Sequence, residues 1–252
     1  MPSAETPSAV NSIPPARADD PRESTRDGAT PAPGAVDFGS LRRIDPVSRV
    51  FGFDRGQCID RFYIDRFLAR HAGDVRGRVL EVAEDTYTKR FGGDRVTRSD
   101  VLHVTTGNRM ATIVADLSDP GTLPPQGFDC VILTQTLQHI FDPRAAIRTI
   151  RRILAPGGVL LATAPGISQI SRYDAERWGD YWRFTPQSMT RLWHEVFDPS
   201  EVAVEAYGNV FAASAFLHGL SVEDVEVAEL EPRDADYPTL ITVRAEVPGS
   251  AS

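Results

Sequence analysis

Apolar positions along this chain switch from helical to alternating spacing near residue 78 and then alternate in blocks. Across 55–73, RGQCIDRFYIDRFLARHAG, the residues Ile59, Phe62, Tyr63, Phe67 and Leu68 recur at helical intervals, with Gly73 as the stop. From Arg78 onward, strand-like runs occur at 78–82, around 95–97, and at 112–115, 129–134 and 159–163. Between the last two lies FDPRAAIRTIRRILAPGG, a well-marked helix. Asp142 fits the N-cap, Pro143 the first helical position, and Ala146, Ile147, Ile150, Ile153 and Leu154 share one face. Pro156-Gly157-Gly158 is the expected stop. A helix near 186–197 follows, then strands at 201–208 and 239–247 joined by an apolar helix around Phe211–Leu220. Strands alternating with helices predict right-handed crossovers and a mostly parallel sheet, an α/β fold.

The N-terminal 37 residues break this pattern. They hold seven prolines and no aromatic residue, too little apolar surface to offset the entropy of ordering, and are expected to be a disordered tail. Residues 38–76 then read as an N-terminal cap with helices, order starting near Val47–Phe53, and 77–248 as the main domain. The 252 residues and 41% hydrophobic content suffice for one sizeable core. A net charge of −8 disfavours a general nucleic-acid partner. No run approaches the ~18 apolar residues of a membrane span, and the N-terminus lacks an apolar signal core. Cys58 and Cys130 sit in separate elements without metal-ligand spacing and read as buried thiols of a cytoplasmic protein.

One stretch is anomalous. VLEVAEDTYTKRFGG, 79–93, starts as a nucleotide-binding unit starts, with an apolar strand carrying Glu81 near its end. A glycine turn should follow, because close backbone approach to a ligand favours residues without a Cβ. Here the turn is Ala83-Glu84-Asp85-Thr86, and glycine waits until Gly92-Gly93. Only 15 positions separate Glu81 from Val96, which makes the first crossover short.

Taken in order, RVLEV, TIVADLSD, FDCVILTQTLQHIFDP, IRRILAPGGVLLATAP and YWRFTPQSMTRLWHEVF resemble the class I S-adenosylmethionine-dependent methyltransferases. The resemblance covers about residues 50–200, is strongest over 127–165, and points to the small type 11 branch, often found beside glycosyltransferases in bacterial glycan pathways. It implies a Rossmann-like sheet of seven strands, mostly parallel with an antiparallel final strand. It also implies S-adenosylmethionine as cofactor, methyl transfer to O or N of a small molecule such as a sugar or glycan precursor, and association with glycan-biosynthesis enzymes. The missing glycine loop keeps a second reading open, that of a methyltransferase-like binding or scaffold protein without activity. A nicotinamide dehydrogenase fits poorly, since its glycine fingerprint is absent.

The resemblance assigns roles residue by residue, and each residue also has a structural reading. Glu81 would orient the cofactor's amino group. Asp100, 19 positions on, would meet ribose hydroxyls or be a solvated turn aspartate. Asp116 would accept from the adenine amino group beside the Leu117 backbone, or cap a turn. Gln135 follows an apolar strand at the rim of the expected pocket. His139 is the only histidine expected there and the candidate base, with structural packing as its other reading. Arg55, Arg61 and Tyr63 belong to the cap, and the two arginines would grip the carboxylate that glycine-loop amides would otherwise hold; a surface pair between Arg61 and Asp65 is the alternative. In SRYDAERWGDYWRFT, 171–185, aromatics alternate with arginines. Arg172, Tyr173, Tyr181, Trp182 and Arg183 would touch the acceptor, or else form a lid pairing with Asp174, Glu176 and Asp180.

Overall fold

The computed structural model describes residues 31–119 and 121–249, so most of the expected tail, residues 1–30, lies outside the described residues. Residues 31–42 belong to a small unit of their own, with one short 3-10 turn, Gly39–Leu41. The rest of the chain forms the second unit, in which seven strands make one sheet: β1 Gly77–Val82, β2 Val96–His103, β3 Ile113–Val114, β4 Phe128–Thr134, β5 Leu154–Pro165, β6 Val202–Tyr207 and β7 Leu240–Glu246. Their order is β3-β2-β1-β4-β5-β7-β6, parallel throughout except for β7, which runs antiparallel to both neighbours. The expected Rossmann-like class I sheet is therefore present.

Side chains that alternate along a strand fall on opposite faces of the sheet. Leu80, Val131, Leu133 and Leu160 pack on one face with Ile147, Ile150 and Trp193. Those helical residues come from α2, Pro143–Ile153, and α4, Pro186–His194; between β5 and α4 lies the four-residue α3, Arg172–Ala175. Val79, Cys130, Ile132 and Leu161 face the other way, onto Ile59, Phe67 and Phe216. These belong to α1, Ile59–Arg70, and α5, Val210–Leu217. Both faces are covered, as a parallel sheet requires.

Asp142 caps α2 as expected, accepting from the Ala145 N–H at 3.0 Å. The stop differs. The helix ends at Ile153 and β5 begins at Leu154, so Pro156-Gly157-Gly158 lies inside the strand. The register slips between Phe128 and Cys130 there, Gly157 has φ +75°, and a Cβ on Gly158 would strike the Phe128 carbonyl at 2.9 Å. The glycines serve a bulge and a close strand approach, not a helix terminus. The helix predicted over 55–73 is likewise shorter, because a 3-10 turn, Ala72–Asp74, replaces its last turn.

The first crossover is the irregular part. Between β1 and β2 the chain makes only a π-helical turn, Thr88–Gly92, and a 3-10 turn, Gly93–Arg95. Gly92 packs tightly inside: an added Cβ would meet Val96 Cγ2 at 2.3 Å.

Candidate active site

A cavity of about 1270 Å³ opens at the C-terminal ends of the parallel strands. Val82 of β1 and Ala83 after it, His103 of β2, Asp116 after β3, Thr134 of β4 and Gln135 after it, and Pro165 of β5 all line it. In open α/β sheets this rim, where strand order reverses beside β1, is where ligands bind. The volume exceeds the ~300–1,000 Å³ of single-ligand sites and leaves room for two molecules side by side.

The backbone at this rim is strained. Among the described residues four that are not glycine have positive φ, and three of them line the cavity: Phe51 at +61°, Ala83 at +72° and Gln135 at +46°. Such conformations persist only where surrounding structure holds them and gather at functional sites. The Ala83 N–H donates to the Leu102 carbonyl at 2.9 Å and its carbonyl accepts from Asn108 Nδ2 at 2.6 Å. The left-handed turn usually made by glycine after β1 is thus kept, with alanine in it.

Glu81 lies on the same face of β1 as Val79 and is 2% exposed. Its carboxylate accepts the Tyr87 N–H at 3.1 Å, the Thr88 N–H at 2.7 Å and the Thr88 hydroxyl at 2.7 Å. It therefore organises the short crossover while bordering the cavity. Burial pushes its carboxyl up to about 6, against the pull of the Thr88 and Tyr87 hydrogen bonds, and Glu84 adds repulsion.

Asp116 is exposed, and its capping reading is the one the hydrogen bonds show. Oδ1 caps the turn by accepting from the Ser118 N–H at 2.7 Å and hydroxyl at 2.6 Å, and the side chain borders the cavity beside buried Leu117. Gln135 and Gln138 are tied together, Gln138 Nε2 donating to both Gln135 oxygens at 3.0 Å.

His139 has a defined tautomer. Its Nδ1 lies 2.7 Å from the Gly179 carbonyl, which only accepts, so Nδ1 carries the proton and Nε2 presents a lone pair. Asp174 Oδ2 stands 4.0 Å from that Nε2. His139 is not alone: His103 also lines the cavity, with Nδ1 engaged by the Thr105 N–H and carbonyl and its ring edge-on to Trp178. The sequence reading missed it because the expected strand around 95–97 stopped short, whereas β2 runs to His103.

Four expected site residues lie elsewhere. Asp100 pairs with Leu80 in the sheet, two residues short of the rim, because β2 starts opposite Gly77. Burial weighs against its charge there, but Arg78 at 2.7 Å, Arg98 and Thr112 prevail and hold its carboxyl below the usual range. Arg55 is held in a two-pronged pair with Asp224, at 2.7 and 2.5 Å. Tyr63 is buried and donates to the Leu230 carbonyl at 2.8 Å. Trp182 donates to the Ile140 carbonyl and packs on Phe141, behind the cavity wall.

The lid segment brings Arg172, Tyr173, Tyr181 and Arg183 to the cavity. Arg183 nevertheless has no donor to offer a ligand. Its Nε donates to Ser168 O, Nη1 to Asp180 and Trp182 O, and Nη2 to Asp180 and Gln169 O, which uses all five N–H groups. Arg177 lies over the Tyr173 ring at 3.6 Å, and Tyr173 and Tyr181 stay open to solvent. The predicted Arg61–Asp65 pair is absent; Asp65 bonds Arg90 and Gln57, and Arg61 faces the cavity.

The sequence profile of a family described as "Methyltransferase domain" matches residues 50–206. No curated protein matches the sequence. Among solved structures, the chain is similar to a SAM dependent methyltransferase from Archaeoglobus fulgidus, at 11% identity and TM-score 0.49, over 74% of this chain and 94% of that one. It is similar to Haemonchus contortus phosphoethanolamine N-methyltransferase 2 bound to phosphomonomethylethanolamine and S-adenosylhomocysteine, at 16% identity and TM-score 0.48, over 74% and 53% of the two chains. It is also similar to the [4+2]-cyclase SpnF, at 17% identity and TM-score 0.49, over 76% and 82%.

The residues present fit the family's cofactor. The cavity is large enough, Asp116 borders it, the backbone after β1 keeps its left-handed turn, and a buried carboxylate oxygen, Asp60 Oδ1, lacks a partner at the cavity wall. With the family profile matched over more than half its length, this chain belongs to the methyltransferase-domain family, with the class I sheet and S-adenosylmethionine as cofactor.

Proposed function

We propose that the protein methylates an oxygen or nitrogen of a small molecule, with His139 as the general base. When bound, S-adenosylmethionine supplies an electrophilic methyl group. What remains for the protein is to orient the acceptor, exclude water and remove one proton. The observation that carries this reading is the tautomer of His139. The Gly179 carbonyl fixes the proton on Nδ1 and leaves Nε2 able to accept one, with Asp174 placed to stabilise the resulting charge. Arg183 acts behind the base as a positioning residue, since its bonds to Asp180, Trp182 and Gln169 hold the segment that carries Gly179.

On the acceptor side, Phe141 (72% exposed), Tyr173 (64%) and Tyr181 (50%) are open to solvent beside the exposed Arg172, which has no ion pair among the described residues. Ring faces stack on sugars and a cation suits an anionic substituent, which favours a sugar or glycan precursor as acceptor. Association with enzymes that make such precursors belongs to the same reading. No helix among the described residues is long and apolar enough to cross a membrane.

The test is release of S-adenosylhomocysteine in the presence of a panel of nucleotide sugars and amino sugars, for wild type and His139→Gln. Wild type is expected to turn over at least one acceptor, and the variant to be slower by about 10²–10⁴-fold with cofactor affinity unchanged. A variant as fast as wild type removes His139 from the chemistry. Cofactor binding without turnover of any acceptor supports the scaffold reading instead.

A further inference from the structure

The N-terminal turn of α1 places two opposite charges at the cavity wall, and the protein leaves both under-used. Asp60 is 8% exposed, and its Oδ1 has no hydrogen-bond partner among the described residues. A buried carboxylate left this way is costly unless something pairs with it. Arg61 has a single hydrogen bond, from Nη1 to Tyr87 Oη at 3.5 Å, so most of its five donors remain open, unlike those of Arg183. Neighbouring residues on a helix do not face each other, and no ion pair joins these two among the described residues.

The turn after β1 cannot supply what these residues offer. The Ala83 N–H is bonded to Leu102, those of Tyr87 and Thr88 to Glu81, and the exposed charge that the turn presents to the cavity is a carboxylate, Glu84; Asp85 is half-buried and paired with Lys89. A ligand carboxylate arriving there meets repulsion from Glu84. Asp60 and Arg61 stand opposite this turn, linked to it through Tyr87, and both line the same cavity.

We propose that Asp60 and Arg61 form a zwitterion receptor, Asp60 for an α-ammonium and Arg61 for an α-carboxylate, which binds the amino-acid end of the cofactor in place of a glycine loop. The assignment rests on the cofactor reading above. It explains at once the unpartnered acid, the under-used arginine and the absent glycines. Burial raises the Asp60 carboxyl above its ordinary range, opposed by Arg61, and an ammonium ligand would reverse that cost.

Calorimetry on the full chain tests this with two probes, S-adenosylhomocysteine and methylthioadenosine, which lacks the amino-acid group. Asp60→Asn and Arg61→Gln are each expected to weaken S-adenosylhomocysteine by about ten- to a hundredfold and to leave methylthioadenosine within about twofold. Arg61→Lys is expected to fall between, since a point charge replaces a fork. Equal losses for both probes, or no loss for either, overturn the proposal. If Asp60→Asn fails to fold, the two Arg61 variants decide. Wild type that binds neither probe removes the cofactor reading itself, a different failure from the loss of selectivity in a variant.

Discussion

The connections on either side of the β1–β4 boundary are built in different ways. From β4 to β5 the chain uses an 11-residue helix with an aspartate cap, proline at its first position and a buried face of Ala146, Ile147, Ile150 and Ile153. From β1 to β2 it uses a five-residue π-helical turn and a three-residue 3-10 turn, whose leading amides are tied to Glu81. The helical connection spreads its stability over many apolar contacts, each small. The short one adds to the packing of Tyr87 and Phe91 a single buried carboxylate that holds its leading amides. A crossover too short for a full helix still closes, provided one side chain satisfies the amides that helix hydrogen bonds would otherwise take.

The largest effect that separates the two is loss of their anchors. Glu81→Ala leaves two buried N–H groups and a hydroxyl without an acceptor, each worth about 1–3 kcal/mol, so a net loss of about 3 kcal/mol is expected in urea unfolding. Asp142→Ala removes an exposed helix cap and is expected to cost about 1 kcal/mol. Similar losses at the two sites would break the comparison.

A smaller effect follows from protons. The folded carboxyl of Glu81 sits at about 6, above the ordinary 4.5, so folding favours its protonated form. The associated stability is complete below pH 4.5 and is lost as pH rises through about 6, amounting to about 2 kcal/mol. Wild type should therefore lose about that much relative to Glu81→Gln between about pH 4 and pH 8 in matched denaturation series. A constant difference between the two proteins would show that Glu81 is not the titrating group.

The smallest effect is a matched pair. Ala83 and Gly157 have nearly the same positive φ, +72° and +75°, but different residues at it. Ala83→Gly relieves the left-handed strain and should stabilise by up to about 1 kcal/mol. At Gly157 an added Cβ meets nothing within 4 Å, so Gly157→Ala should destabilise by about 1 kcal/mol through conformation alone. Thermal melts of both variants read the sign directly, and like signs would refute the strain at Ala83.

Much of the fold was legible because binary pattern and caps are local: all seven strands, the α2 N-cap and the apolar helix before β7 follow from spacing. What was missed depended on distance in sequence. Arg55 looked free beside the cap, but its partner Asp224 lies 169 residues away. Arg183 looked ready to grip a ligand, and spacing cannot count how many of five donors the fold already uses. Asp100 was misplaced because an interval taken from a longer crossover does not mark the rim of this one. Asp60 carries no signal of its own in the sequence, and only burial shows that its oxygen lacks a partner.

The bonds of Arg183 have a consequence best put in the language of polymer chains. Residues 166–185 form a long connection between β5 and α4, of the length at which loops usually sample many conformations. By joining its own end to Ser168 and Gln169, 15 and 14 residues earlier, Arg183 closes this connection into a ring. A ring has lost most of the end-to-end freedom of the open loop before any ligand is near. Tyr173, Tyr181 and the carbonyl behind His139 are thus ordered when the protein folds, and an acceptor entering the cavity has less chain entropy to suppress.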